Sequence, residues 1–220
     1  MSEITINEKL ISFLLFLPFF FISLAVHEFF HAYSASKLGD DTAKKQGRLS
    51  LNPMKHLDVI GSLLMPLLSF ASGYAIVGWA KPVPVNRNNF KNALKDDAIV
   101  SFAGPLSNFI FSILLFAVYV VLTRTIDPQS AAFIRILTMF RTASYFNIFL
   151  CLFNLLPIPP LDGSHIIFDF FPNKLTAKLM NSGIYGLLIL MIFINTPLWG
   201  YFLNIVKFIF EIFIFIGGKF

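Results

Sequence analysis

The stretch Leu10–His31, LISFLLFLPFFFISLAVHEFFH, decides the fold. From Leu10 to Val26 it holds no charged side chain, and a helix that crosses a bilayer needs ~20 mostly apolar residues. A single lysine, Lys9, precedes it, and a charged motif follows instead of a small-residue cleavage site. The run therefore reads as a retained membrane helix and not as a removed leader.

Working outward, apolar runs recur at Ile60 to Trp79, Ile99 to Leu122, Ile148 to Leu156 and Ile184 to Ile216. The 220 residues are 56% hydrophobic and 13% charged, with 28 phenylalanines and a mean hydropathy of +0.74. Soluble domains carry about 25% charged residues, so the balance excludes a water-soluble fold. The net charge of +5 does not indicate nucleic acid, because the basic residues lie between hydrophobic runs and not in one stripe. They read as positive-inside flanks of membrane segments. Cys151 is the sole cysteine, which excludes an intramolecular disulfide and a thiolate metal cluster.

Residues 37–58 and 81–97 are both basic, with Lys37, Lys44, Lys45, Arg48 and Lys55 in one and Lys81, Arg87, Lys91 and Lys95 in the other. If both face the cytoplasm, the apolar stretch between them enters and returns on one side. Pro66, Ser69, Ser72 and Gly73 interrupt that stretch, and Gly78-Trp-Ala-Lys-Pro-Val-Pro-Val85 reads as extended chain because each proline disfavours helix in its predecessor. A complete span is the alternative. Beyond it, the pattern predicts helices at 98–123 and 132–156, a break at Pro157, Pro159 and Pro160, a short segment at 164–171, and an apolar hairpin turning at Asn195-Thr196-Pro197. The expected fold is an all-α polytopic membrane protein with five or six membrane segments and a small re-entrant, β-like element. It is expected to form one domain over residues 1–220, with a core of about 10–171 and a hairpin of about 183–216.

His27 and His31 are four apart, so on a helix both imidazoles leave one face. That spacing suits a shared tetrahedral zinc, with Glu28 reaching an attacking water as general base. Ionisable groups in a membrane span are costly and mark functional sites. A catalytic zinc takes three protein ligands. His56, His165 and the carboxylates are the candidates for the third, and Asp162, after three prolines and before Gly163, is favoured. Spacing alone leaves it level with a turn aspartate, since Asp before Gly is ordinary turn chemistry.

These residues resemble the site-2 protease family of intramembrane zinc metalloproteases. The resemblance rests on His27-Glu28-x-x-His31 and on Asn154-x-x-Pro157-x-x-Pro160-x-Asp162-Gly163. It extends to Gly39–Asp58, to Gly78–Val85 and to Ala103-Gly-Pro-Leu-Ser-Asn108, most of residues 24–165. It implies that His27, His31 and Asp162 bind Zn2+, that Glu28 activates water, and that Asn154 sits near the scissile peptide. It implies intramembrane cleavage of membrane-protein substrates that carry a transmembrane helix, with the lipid bilayer as the other partner. The expected location is a prokaryotic inner membrane, with the site toward the cytoplasm. Asn108 and Gly104 read as close-packing devices, and His56 and Asp58 as loop residues or the mouth of the site. Relatives often carry an appended soluble domain; this chain is read as a minimal form. A membrane metal-binding or transport protein is the alternative, although a transporter would spread ionisable residues along a path. Arg135 and Arg141 are expected to snorkel outward.

Overall fold

A computed structural model of the chain describes residues 6–72, 78–125, 130–180 and 184–218. Among these the regular structure is helical, with no β-strand. The elements are α1 (Ile6–Lys37), α2 (Thr42–Lys45), α3 (Met65–Ser72), α4 (Ala93–Thr125), α5 (Ala131–Asn154), α6 (Asp162–Phe170), α7 (Lys174–Met180), α8 (Ile184–Ile194) and α9 (Pro197–Gly217). Four of them, α1, α4, α5 and α9, are long and apolar enough to cross a membrane. The chain is therefore a polytopic membrane protein by composition and helix length.

The core lies where α1, α4 and α5 meet. Phe16, Phe20 and Leu24 of α1 pack on Leu115 of α4 and on Met139, Ala143 and Leu150 of α5. Lipid tails are as apolar as leucine, so helices in a bilayer associate through close packing and interhelical hydrogen bonds. Both are present. Phe16 meets Phe146 edge to face at 5.3 Å, and Ser144 Oγ donates to the Ser112 carbonyl at 2.9 Å. The many phenylalanines supply these ring contacts. α9 closes the bundle against α4 and α5, with Val206, Phe202 and Phe210 buried among Phe116 and Ile148.

The predicted boundaries differ in places, for physical reasons. α5 stops at Asn154, short of the expected Leu156, because the proline-rich stretch that follows cannot continue the helix. α4 starts at Ala93, before the expected residue 98; Asn92 caps it by accepting from the Lys95 N–H at 3.2 Å. The apolar hairpin turns at Asn195–Thr196 as expected, and among the described residues its first arm, α8, spans 11 residues. At 1.5 Å per residue that arm is roughly half a membrane thickness.

The stretch after the first basic loop forms a π-helical turn at Val59–Leu64 and then α3. Asp58 caps this pair, accepting from the Ile60 and Gly61 N–H groups at 3.1 and 2.7 Å. The expected turn around Gly73 lies outside the described residues. From residue 78 the chain runs extended to Asn86 without forming a ladder. Its odd residues point their backbone inward: Trp79 N–H donates to Gly61 O, Lys81 N–H to His56 O, and Arg48 donates to Lys81 O at 2.5 Å. Ser62 Oγ donates to Trp79 O at 2.8 Å, so this extended strap returns to the start of its own apolar excursion. Gly61 is required there, because a Cβ would lie 2.4 Å from the Trp79 ring.

Candidate metal centre

His27 and His31 sit in the last third of α1, stacked one turn apart as their spacing dictates, and both are buried at 8% exposure. Asp162 opens α6 at the end of the proline-rich turn. The three donor atoms form a small triangle. His27 Nε2 and His31 Nε2 are 3.0 Å apart, and Asp162 Oδ2 lies 3.2 Å from the first and 3.4 Å from the second. Ligand atoms ~2.0–2.1 Å from a tetrahedral zinc stand about 3.3 Å from one another, which is the size of this triangle. Asp162 Oδ2 is buried with no hydrogen-bond partner, the condition expected of an atom reserved for a metal. Among the described residues no other cluster of His, Cys, Asp and Glu has this geometry.

Each imidazole is oriented from behind. His31 Nδ1–H donates to the Val100 carbonyl at 2.7 Å, and His27 Nδ1–H donates to Asn108 Oδ1 at 2.6 Å. With Nδ1 protonated, Nε2 of each ring carries the lone pair that faces Asp162. Asn108 is in turn fixed by its amide, which donates to Ser23 O at 3.1 Å and to Asn147 Oδ1 at 2.8 Å. Asn147 donates to Ser23 Oγ and Ala143 O, both at 2.8 Å. Asn108, Asn147 and Ser23 are fully buried, so this chain of amides links α1, α4 and α5 behind His27.

Sequence reasoning read Asn108 as packing and missed Asn147. The available signal was an amide at each of two positions inside long apolar helices. Gly104 is a close-approach residue, and a specific one: a Cβ there would lie 2.3 Å from His31 Nε2 and 2.8 Å from His27 Cε1.

Glu28 is buried beside the triangle, and its Oε2 accepts the Val83 N–H of the strap at 2.7 Å. Val83 packs with Ala32 of α1 and Ala43 of α2, which holds the strap across the end of α1. Asp40 pins the far end, accepting from Asn86 N–H and Asn89 Nδ2, each at 2.7 Å. Burial works against the ionised Asp40, yet these donors and Thr42 keep its carboxyl below the ordinary range.

Asn154, His56 and Arg141 lie outside the triangle of donor atoms. Asn154 ends α5, and its amide donates to Leu150 O of its own helix at 3.0 Å. Its side chain makes no hydrogen bond to His27, Glu28, His31 or Asp162. His56 is buried and donates from Nε2 to Ser50 O at 2.7 Å, a structural role. Arg141 lies over the Phe210 ring at 5.9 Å.

A buried two-histidine, one-carboxylate triangle inside a bundle of membrane-length helices, with a glutamate beside it, defines a membrane-embedded metallopeptidase. The chain belongs to peptidase family M50. The sequence model of that family matches residues 121–194. A relative from Bacillus subtilis (strain 168), named "Putative zinc metalloprotease YwhC", is 44% identical over 83% of this chain and 80% of its own length. Rip2 of Mycolicibacterium smegmatis, named in the same terms, is 31% identical over 84% of this chain and 68% of its own length. Rip2 of Mycobacterium tuberculosis (strain H37Rv) is 29% identical over 87% and 71%. No solved structure matches the chain significantly. The protein is a zinc metalloprotease of the membrane, and zinc is its cofactor.

Proposed function

We propose that His27, His31 and Asp162 hold the zinc, that Glu28 is the general base, and that the substrate is a transmembrane helix of another membrane protein. The triangle of donor atoms at 3.0, 3.2 and 3.4 Å carries this reading. Zinc, when bound, supplies Lewis-acid chemistry, polarising a carbonyl and acidifying water. The chain's own residues do the rest. The Val83 N–H fixes Glu28 Oε2, which leaves Oε1 to take the proton of the attacking water and pass it to the leaving amine. Asn154, at the end of α5, holds the substrate backbone through its amide oxygen in this reading, since its Nδ2 is engaged by Leu150 O.

A substrate helix must unwind before its carbonyls can react, because they are already hydrogen-bonded. The strap offers a surface for the unwound stretch. Its inward edge is used by the chain itself, and Pro82 and Pro84 leave the other edge short of donors. A substrate strand paired there has to supply the N–H groups.

We infer a single protease domain over 1–220, with residues 60–80 as a re-entrant element. The hydrogen bonds from Trp79 back to Gly61 and from Ser62 to Trp79 support re-entry, since they join the two ends of the excursion. With α8 as a further partial crossing, the four long helices and these two short segments make up the six membrane segments. The site end of the bundle carries Lys37, Lys44, Lys45, Lys81, Lys91 and Lys95, which supports a cytoplasmic orientation, and the bacterial relatives support a prokaryotic inner membrane.

The test is zinc content of protein purified from membranes. About one zinc per chain is expected for wild type and for Glu28→Gln, and little for His31→Ala. Equal zinc in wild type and His31→Ala would refute the ligand set.

A further inference from the structure

Four ionisable side chains gather one and two turns along α6 from Asp162. Arg87, in the short turn that ends the strap, donates to Asp97 near the start of α4. The same Nη2 lies 3.3 Å from Asp169 Oδ1 and 3.1 Å from His165 Nδ1, and His165 Nδ1 is 3.2 Å from Asp97 Oδ2. The guanidinium also covers the Phe168 ring at 5.3 Å. The side chains of Asp97 and Asp169 are 5% and 1% exposed, so both carboxyls are removed from solvent. Both Asp169 oxygens lack a well-formed hydrogen bond, and burial with the neighbouring Asp97 pushes that carboxyl up to about 7.

Placement gives this cluster its meaning. Asp162, His165 and Asp169 recur at i, i+3 and i+7, one stripe of α6, and α6 packs chiefly on α4. α6 makes no extensive contact with α1, although Asp162 must meet two histidines of α1. Along its length α6 is therefore positioned by α4. At its first turn it meets the end of α5 instead, by backbone, since a Cβ on Gly163 would lie 2.3 Å from Leu155 O. Along the rest of the stripe the fit is by charge, through Arg87. Arg87 also lies four residues beyond Val83, whose N–H holds Glu28. One guanidinium thus ties the element bearing Asp162 to the element gripping Glu28. Apolar packing of similar volume is often as stable as a buried ion cluster, so stability alone gives no reason for charge here.

We propose that Arg87, held by Asp97 and His165 and lying against Asp169, is a positioning residue that keeps Asp162 in register with His27 and His31. This rests on Asp162 being a metal ligand.

The test uses the full chain in detergent with Zn2+ as the only probe. Zinc affinity is measured by competition with a fluorescent chelator, and the melting temperature is measured on zinc-free protein. Arg87→Ala is expected to bind zinc roughly 10- to 100-fold more weakly, the range for residues that orient ligands from behind. Arg87→Lys is expected to lie between, because a lysine keeps the charge but lacks the planar fork. Asp97→Asn should weaken binding in the same direction. Wild-type affinity in all three would overturn the proposal, as would a loss of affinity matched by collapse of the zinc-free fold in all three. If Arg87→Ala fails to fold, Arg87→Lys and Asp97→Asn decide by the same criteria. Asp162→Asn separates the two layers. Undiminished zinc affinity in that variant refutes the ligand reading itself, whereas weak binding there with normal binding in the Arg87 and Asp97 variants refutes the clamp alone.

Discussion

Asn108 Oδ1 accepts the Nδ1 proton of His27 at 2.6 Å, and this contact decides which nitrogen of the ring faces Asp162. Asn108 lies on α4 and His27 on α1, so one helix selects the tautomer of a residue on another. Removing the acceptor frees the ring to rotate and to take the other tautomer. Asn108→Leu is expected to lower zinc affinity roughly 10- to 100-fold, with Asn108→Asp retaining most of it. Equilibrium zinc titration of the two variants against wild type checks this.

Gly104 gives a sharper steric prediction. A methyl group there would overlap His31 Nε2 at 2.3 Å, so Gly104→Ala must displace a histidine or part α1 from α4. Zinc binding is expected to be lost. Gly200 on α9 is the control, because a Cβ there meets nothing within 4 Å. Gly200→Ala should bind zinc normally and gain up to ~1 kcal/mol of helix stability. Zinc content and thermal melting of the pair provide the comparison.

Val83→Pro deletes one proton donor and leaves the metal ligands alone. The Val83 N–H to Glu28 hydrogen bond, 2.7 Å to a charged acceptor, is of a kind that contributes about 1.5–3 kcal/mol. Expressed on the proteolytic barrier, that is a roughly 10- to 100-fold slower cleavage rate with zinc content unchanged. Coincident loss of zinc would show that the strap supports the ligands and not the base.

Stability should carry a pH signature from Asp169. Its folded pKa, about 7, lies above the ordinary carboxyl value of ~3.9, so the native state holds an extra proton between those limits. Unfolding free energy from this group is therefore greatest at the acid end of that window and falls as pH rises through 7. Asp169→Asn cannot ionise and should lose that slope. Melting temperature of zinc-free protein, read as wild type minus variant from pH 4.5 to 8, is expected to decline with pH; a flat or rising difference would contradict the assignment.

Much of this architecture is legible in the chain itself. The apolar runs announce α1, α4, α5 and α9, because a bilayer demands about 20 such residues in a row. The spacing of His27 and His31 places two imidazoles on one face, and the motif around Asp162 marks it as the carboxylate that joins them. The extended course of residues 78–86 is written in Pro82 and Pro84. What distance in sequence conceals is the partnership of Ser23, Asn108 and Asn147, which become neighbours only when three helices pack. Arg87, Asp97 and Asp169 are hidden for the same reason, each being unremarkable alone. Asn154 is placed at the end of α5 by its motif, but its amide turns to Leu150 O, which no pattern of residues foretells.

The central claim, that this bundle hydrolyses membrane-protein substrates with Glu28 as base, is tested most directly in membranes. Cells carrying wild type or Glu28→Gln are compared by mass spectrometry of membrane-protein fragments. The account predicts fragments with new ends in or beside transmembrane segments under wild type, absent under Glu28→Gln at equal protein level. The same fragments at the same abundance from both would contradict it.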